Sequence, residues 1–444
     1  MSIAVGRSSG PRTHCLMSSR TGGASSTPGV HATVPDGTVA ADPGERIGVL
    51  DILRGIALLG MFLVHFNDNS VGGDAASGLS TTYQRVVTLF FEERFWTMFG
   101  ILFGVGFAVQ LRRAEARGAA FPAMYLRRLL ALAGFGLIAH GVFGYNVLLG
   151  YAAWGLPLLL VRRWSLKALV VALVISATSW SVYRVAQAGS GVARVGEAAY
   201  LARQRAAFTE VQSFNKENRA AQAAPDYPTV FRARLAHMAW FYRQPFSFLP
   251  VNTLTLFLLG VIGFRIGLFE APERHRGLIA ALMVFGAASW AAETWLLSGI
   301  PHPPESPLVR GLAIYQLTGG LGLIRGMWLA FVYIGAVLLL VARNRAWLRW
   351  LAPFGWGGRM ALTTYMVQVA ILDLTFSNYA LHLRLTPLQG LGAGLALFAV
   401  SVLLSRWWLA RFRFGPLEWL WRSATYGRLQ PWRAGSGVAA APAL

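Results

Sequence analysis

Residues 50–66 read LDILRGIALLGMFLVHF. Apart from Asp51, Arg54 and His65, every position in this stretch is apolar or glycine. A hydrocarbon core about 30 Å thick takes roughly 20 such residues as a helix, and the run from 47 to 66 supplies that length. An ionisable side chain inside a span is costly, so Arg54 and His65 call for a functional explanation. Eleven steps of about 100° amount to three turns plus roughly 20°, so the two residues share one helix face. Their heights differ by about 16 Å. Arg54 at the inner end can hold an anion, and His65 near the outer end can act as a base. The plainer alternatives are an Arg54–Asp51 pair that anchors the helix end and a neutral His65 bonded to a neighbouring carbonyl.

The composition agrees with a membrane-embedded chain. Of 444 residues, 55% are hydrophobic and 13% charged, and the mean hydropathy is +0.48. A soluble domain carries about a quarter charged residues. Lys+Arg 40 against Asp+Glu 19 leaves +21. In a soluble protein that excess would suggest nucleic acid, but here the charge lies between apolar runs, and a nucleic-acid partner is set aside. One cysteine, Cys15, excludes an internal disulfide and a thiolate cluster. The histidines form neither HExxH nor a close pair, and no GxxxxGK[ST] is present, so neither a metal site nor a P-loop is expected.

Ten runs have spanning character: about 47–66, 95–111, 127–143, 145–161, 165–186, 246–269, 277–298, 325–342, 358–381 and 386–410. The predicted fold is an all-α, polytopic transmembrane helix bundle of about 10 spans. Leu308–Ile324, rich in glycine, reads as a re-entrant or interfacial segment; as a separate span it would make eleven. Alternate loops are rich in arginine, including Arg112, Arg113, Arg117, Arg127 and Arg128, then Arg162 and Arg163, then Arg343, Arg345, Arg349 and Arg359. Positive loops stay inside, which puts both termini in the cytoplasm of a bacterial inner membrane. Residues 1–46 and 434–444 read as disordered tails flanking a membrane domain at 47–433. Residues 187–245 form a long, basic, amphipathic external segment, read either as an interfacial helix or as a lid over an external site.

Further polar residues fall inside spans. His140 lies in the third, and Glu293 and Asp373 lie in the outer halves of the seventh and ninth. The acids can orient a histidine or hold an acceptor hydroxyl, or else bond helix to helix. Gln110 and Gln368 read as helix-to-helix contacts. Gly100, Gly104 and Gly106 give the second span a smooth face for close packing.

Five stretches carry a resemblance: RGIALLGMFLVHF (54–66), FGILFGVGFAVQ (99–110), YLRRLLALAGFGLIAH (125–140), GRMALTTYMVQ (358–368) and GPLEWLWRSATYGRLQP (415–431). Together they resemble the YeiB-like family, within the clan of the membrane acyltransferase-3 enzymes. The Arg54–x10–His65 spacing is similar to the first helix of those acyltransferases. Two positions depart from the usual YeiB-like pattern: His65 stands where asparagine is common, and Asn146 stands where aspartate is common. The departures favour His65 over His140 as the base.

The resemblance implies an acyltransferase with no permanently bound cofactor and with acyl-CoA, such as acetyl-CoA, as co-substrate. His65 is then the general base. Arg54, Arg127, Arg128, Arg162, Arg163 and Arg359 become candidates for bidentate contacts to CoA phosphates, unless those arginines serve topology alone. The acceptor would be a glycan, lipid-linked sugar or secondary metabolite. A proton-coupled transporter and a non-catalytic envelope protein are the competing readings, the first motivated by ionisable residues within spans.

Overall fold

The computed structural model describes residues 48–70, 78–145, 147–243, 252–298 and 325–433, and among them it is a helical bundle with no β-strand. The helices are α1 (Gly48–Asp68), α2 (Gly78–Val86), α3 (Arg94–Ala116), α4 (Phe121–Phe143), α5 (Val147–Gly155), α6 (Leu158–Val161), α7 (Leu166–Val195), α8 (Glu197–Gln222) and α9 (Tyr227–Arg243). They continue with α10 (Asn252–Arg265), α11 (Arg276–Ser298), α12 (Arg325–Arg343), α13 (Trp347–Trp350), α14 (Ala352–Arg359), α15 (Ala361–Phe376), α16 (Pro387–Leu409) and α17 (Pro416–Tyr426).

Where described, each of the ten apolar runs is largely helical. Seven helices among the described residues are long and apolar enough to cross a membrane, and three shorter apolar ones cover Val147–Val161, Thr253–Arg265 and Ala361–Phe376. At about 1.5 Å per residue, the shorter three fall below the thickness of a hydrocarbon core. The tails at 1–46 and 434–444, the segment Leu308–Ile324 and Asn146 lie outside the described residues.

α1 stands at the centre, against α3, α14, α15 and α16. Leu53, Leu58 and Phe62 of α1 are completely buried. In lipid, burying apolar surface against another helix gains little over the acyl chains, so close backbone approach decides which helices meet. Glycine supplies that approach twice. A Cβ on Gly55 would stand 1.9 Å from the carbonyl oxygen of Phe354, and one on Gly358 would stand 1.8 Å from that of Asp51. The α3–α10 crossing repeats the device: Gly104 meets the carbonyl oxygen of Phe257 and Gly260 that of Ile101, each at 2.0 Å from a built Cβ. Of the smooth face expected for the second span, Gly100 and Gly104 are therefore packing points, while Gly106 lies in the wall of a cavity. α7 and α11 are peripheral, presenting Val171, Val174, Val284 and Trp295 outward, as lipid-facing surfaces do.

Side-chain caps fix several helix ends. Ser165 accepts from the Ala168 N–H at 3.3 Å to start α7. Thr386 and Gln389 form a capping box ahead of α16. The start of α15 is capped from a distance. Glu418 of α17 accepts from the Leu362 N–H at 2.7 Å, the Thr363 N–H at 3.0 Å and the Thr363 hydroxyl at 2.6 Å. That bond set locks the C-terminal GPLEWLW segment against the bundle.

The 187–245 segment is helical where described, as the end of α7, α8 and α9. α9 lies against α4 and α8. Arg234 of α9 reaches Asp373 of α15 with Nη2 to Oδ1 at 2.5 Å and Nη1 to Oδ2 at 3.1 Å, and it also donates to the Val142 carbonyl. Both partners of the ion pair are buried.

Candidate active site: an arginine-lined cavity beneath His65

A cavity of about 300 Å³ runs among α1, α3, α4, α5, α15 and α17. Six arginines stand in its wall: Arg54, Arg113, Arg117, Arg128, Arg359 and Arg422. The wall also holds two acids, Asp51 and Glu418, and both already have partners. Arg54 Nη1 bonds Asp51 Oδ1 at 2.7 Å, and Glu418 caps α15. The other end of the cavity is apolar, with Met61, Trp96, Phe99, Val147 and Leu148 in its wall.

The helices explain how the ends differ. On α3, Gly106, Gln110, Arg113 and Arg117 follow one another at intervals of four, three and four, which is one helical stripe. Gly106 leaves room for the neighbouring guanidinium: its built Cβ lies 4.0 Å from Arg54 Nη2. Arg128 lies flat on Trp421, 3.9 Å from guanidinium carbon to ring centroid, a cation–π contact. The Trp421 indole N–H donates to the Arg128 carbonyl at 2.9 Å. α17 thus docks on α4 through the same residue that it helps to orient.

Arg54, Met61 and His65 form one stripe on α1, so His65 stands a single turn beyond the Met61 that walls the apolar end. His65 is half-buried. Its Nδ1 lies 3.3 Å from Gln368 Nε2, and its ring packs on Tyr145 with centroids 5.1 Å apart. Tyr365, one turn before Gln368 on α15, belongs to the cavity wall.

The structure gathers some sequence candidates and disperses others. Arg54, Arg128 and Arg359 line the cavity. Arg127 faces outward beside Gly427. Arg162 bonds the Leu159 carbonyl at 2.5 Å and its own carbonyl receives Arg265; neither it nor the exposed Arg163 is in the wall. His140 lies between α4 and α9, with ring centroids 5.8 Å from His237 and 6.0 Å from Tyr242. Burial lowers the pKa of His237. Glu293 accepts from the Trp328 indole N–H at 2.9 Å, between α11 and α12. Asp373 is saturated by Arg234, by the Ser377 hydroxyl at 2.6 Å and by the Tyr379 hydroxyl. Neither acid bonds to His65 or His140. Among the described residues no group of three His, Cys, Asp or Glu side chains could hold a metal.

Arg113 and Arg117 were legible in the sequence as loop charges, and Arg422 within the GPLEWLWRSATYGRLQP stretch, while their place in the cavity was not. The signal for the first two was the Gly106–Gln110–Arg113–Arg117 stripe, which lies on a different side of α3 from Gly100 and Gly104.

Comparison with known proteins supplies the relatives. Residues 263–428 match the family described as "Protein of unknown function (DUF418)". Residues 46–149 match the catalytic domain of heparan-alpha-glucosaminide N-acetyltransferase. An uncharacterised 39.9 kDa protein of Bacillus acidopullulyticus is 31% identical over 87% of this chain and 96% of its own. Uncharacterised protein YxaH of Bacillus subtilis is 29% identical over 87% of this chain and 96% of its own. Uncharacterised protein YeiB of Escherichia coli is 40% identical over 68 residues, 15% of this chain and 18% of its own. No solved structure matches. The acetyltransferase match contains Arg54, His65 and the α3 and α4 walls of the cavity, and the DUF418 match contains Gln368, Tyr365 and α17. With relatives aligned along nearly their whole length, the chain belongs to the YeiB-like DUF418 family.

Proposed function

We propose that the chain is an integral membrane acyltransferase. It takes an acyl group from acyl-CoA on the cytoplasmic side and passes it to a hydroxyl or amine of a glycan, lipid-linked sugar or secondary metabolite. The observation that carries the reading is a single cavity with six arginines at one end and His65 a turn beyond the other. Arginine-rich loops support cytoplasmic termini, ten spans and a cytoplasmic arginine end. The matched acetyltransferase is named for moving an acetyl group to nitrogen of a glucosaminide, an acceptor of the class proposed here.

The dimensions fit the donor. Pantetheine has a backbone as long as roughly four extended residues, about 15 Å, close to the rise of about 16 Å from Arg54 to His65. Arginine forks suit phosphates, and the low-polarity passage between Phe99 and Val147 suits the arm and the acyl group. Gln110 adds a polar point: its Oε1 is buried without a hydrogen-bond partner in the wall and can accept from an amide N–H of the arm.

In the reaction, neutral His65 takes the acceptor proton while the acceptor atom attacks the thioester carbon. The carbonyl electron pair returns to expel the thiolate, and the imidazolium protonates the sulfur. A positioned general base contributes about 10²–10⁴ in rate. A proton-coupled path would need a chain of ionisable groups, but His65, Glu293 and Asp373 sit in three separate contacts. The test is His65→Ala in proteoliposomes given labelled acyl-CoA. Normal insertion with loss of transfer supports the reading; transfer equal to wild type overturns it.

A further inference from the structure

We propose that Tyr365 is a further catalytic residue, whose phenolic O–H holds the carbonyl oxygen of the acyl group as it becomes an oxyanion. The inference rests on the acyltransferase reading above and assigns the group that must stabilise negative charge at that same site.

Tyr365 is 5% exposed. It stands in the cavity wall, and its hydroxyl is buried with no hydrogen-bond partner. Buried polar groups are nearly always paired, because burial without a partner forfeits the hydrogen bonds water would supply. Tyr151, a tyrosine of this wall on α5, follows that pattern: its hydroxyl donates to the Trp96 carbonyl at 2.6 Å. Tyr365 therefore holds an unspent donor within the wall of the cavity.

Its height is the required one. Tyr365 and Gln368 are three residues apart on α15 and share a face, and Gln368 contacts His65. Met61 on α1 is likewise one turn before His65, and both Met61 and Tyr365 line the cavity. Tyr145, the ring that packs on His65, and Tyr151 are its electrostatic neighbours. An acyl carbon at this level has a base on its outer side and a phenol beside it.

The atoms balance without a further reagent. The acceptor O–H or N–H attacks the thioester carbon, forming one C–O or C–N bond, and its proton passes to His65. The C=O pair moves to oxygen, where Tyr365 donates to it. The pair then returns, the C–S bond breaks, and the imidazolium proton goes to the thiolate, leaving ester or amide and free CoA thiol.

The experiment compares the full chain and Tyr365→Phe in nanodiscs, with acetyl-CoA labelled with carbon-13 at the thioester carbonyl. Isotope-edited infrared spectra of the bound donor read the hydrogen bond directly. The expected result is a carbonyl band at lower frequency in wild type than in Tyr365→Phe, with donor bound to both. Turnover in the variant should fall about 10²- to 10³-fold, the usual effect of losing one oxyanion donor, with KM nearly unchanged. Without ligand, the variant should melt at or above the wild-type temperature, because the orphan hydroxyl is gone. Identical carbonyl bands with acetyl-CoA bound to both proteins overturn the assignment to Tyr365 alone. Failure of wild type to bind acetyl-CoA overturns the acyl-CoA reading and this assignment with it.

Discussion

His65 Nδ1 lies 3.3 Å from Gln368 Nε2, joining the middle of α15 to the C-terminal end of α1. The orientation of that amide decides what the imidazole can do. With the amide NH₂ donating to Nδ1, the ring proton sits on Nε2 and that nitrogen cannot accept another. With Oε1 accepting from an Nδ1–H, Nε2 is bare and available as a base. A base role for Nε2 requires the second orientation, which puts the Gln368 NH₂ where Oε1 now lies buried without a partner. Gln368→Leu should insert normally and keep donor affinity. Its transfer rate should drop by between about tenfold and the 10⁴-fold that a wrong histidine tautomer costs in serine proteases. Gln368→Glu, which retains an acceptor for Nδ1–H, should keep most of the rate. Steady-state kinetics on the two variants decide the matter.

The arginine end makes a prediction about charge. Removing one charge-assisted hydrogen bond costs about 1.5–3 kcal/mol, or roughly 10- to 100-fold in affinity. Arg54→Gln and Arg128→Gln should each raise the KM for acyl-CoA by that order and weaken its dependence on salt. Arg162→Gln and Arg163→Gln, at residues outside the cavity wall, should change neither. Donor titrations at two ionic strengths check this.

The sequence exposed the helices because lipid imposes a simple demand, a run of apolar residues of sufficient length, and all ten runs are largely helical where described. It exposed the shared face of Arg54 and His65 because helical phase is local. Which arginines converge was less legible, since Arg113 on α3, Arg359 at the end of α14 and Arg422 on α17 meet only through helix packing. Arginine in loops has two readings that sequence alone does not separate: a positive charge kept inside and a positive charge holding a phosphate read alike. Glu293 and Asp373 were recognisable as costly intramembrane acids. Their partners, Trp328 and Arg234, come from segments 35 and 139 residues away, beyond any local pattern.

The Arg234–Asp373 pair should behave as a buried bridge. Arg234 is 6% exposed, so its loss leaves a buried carboxylate without its countercharge. Breaking such a pair costs about 3–5 kcal/mol. Arg234→Met should lower the thermal midpoint sharply and speed proteolysis within α8 and α9, which the bridge ties to α15. Replacing both residues, Arg234→Met with Asp373→Leu, should recover much of the loss, because the double change leaves no orphan charge. Thermal unfolding and limited proteolysis of the two single variants and the double variant complete the cycle.

α3 and α10 meet backbone to backbone at Gly104 and Phe257. Gly104→Ala would place a methyl group 2.0 Å from the Phe257 carbonyl oxygen, a rigid obstacle that no rotamer change relieves. α3 and α10 must separate, and overpacking of this kind costs about 1–3 kcal/mol. The displacement also carries Gln110, Arg113 and Arg117, which lie further along the same helix and line the cavity. Gly104→Ala should therefore lose both thermal stability and donor affinity, although residue 104 is outside the cavity wall. Gly134 and Gly150 are helical glycines whose added Cβ meets nothing within 4 Å. Alanine at either should be neutral or stabilising by up to about 1 kcal/mol and leave donor binding intact. Melting curves with and without acyl-CoA separate the two classes, and equal behaviour of Gly104→Ala and Gly134→Ala would sink the idea that the α3–α10 crossing sets the cavity.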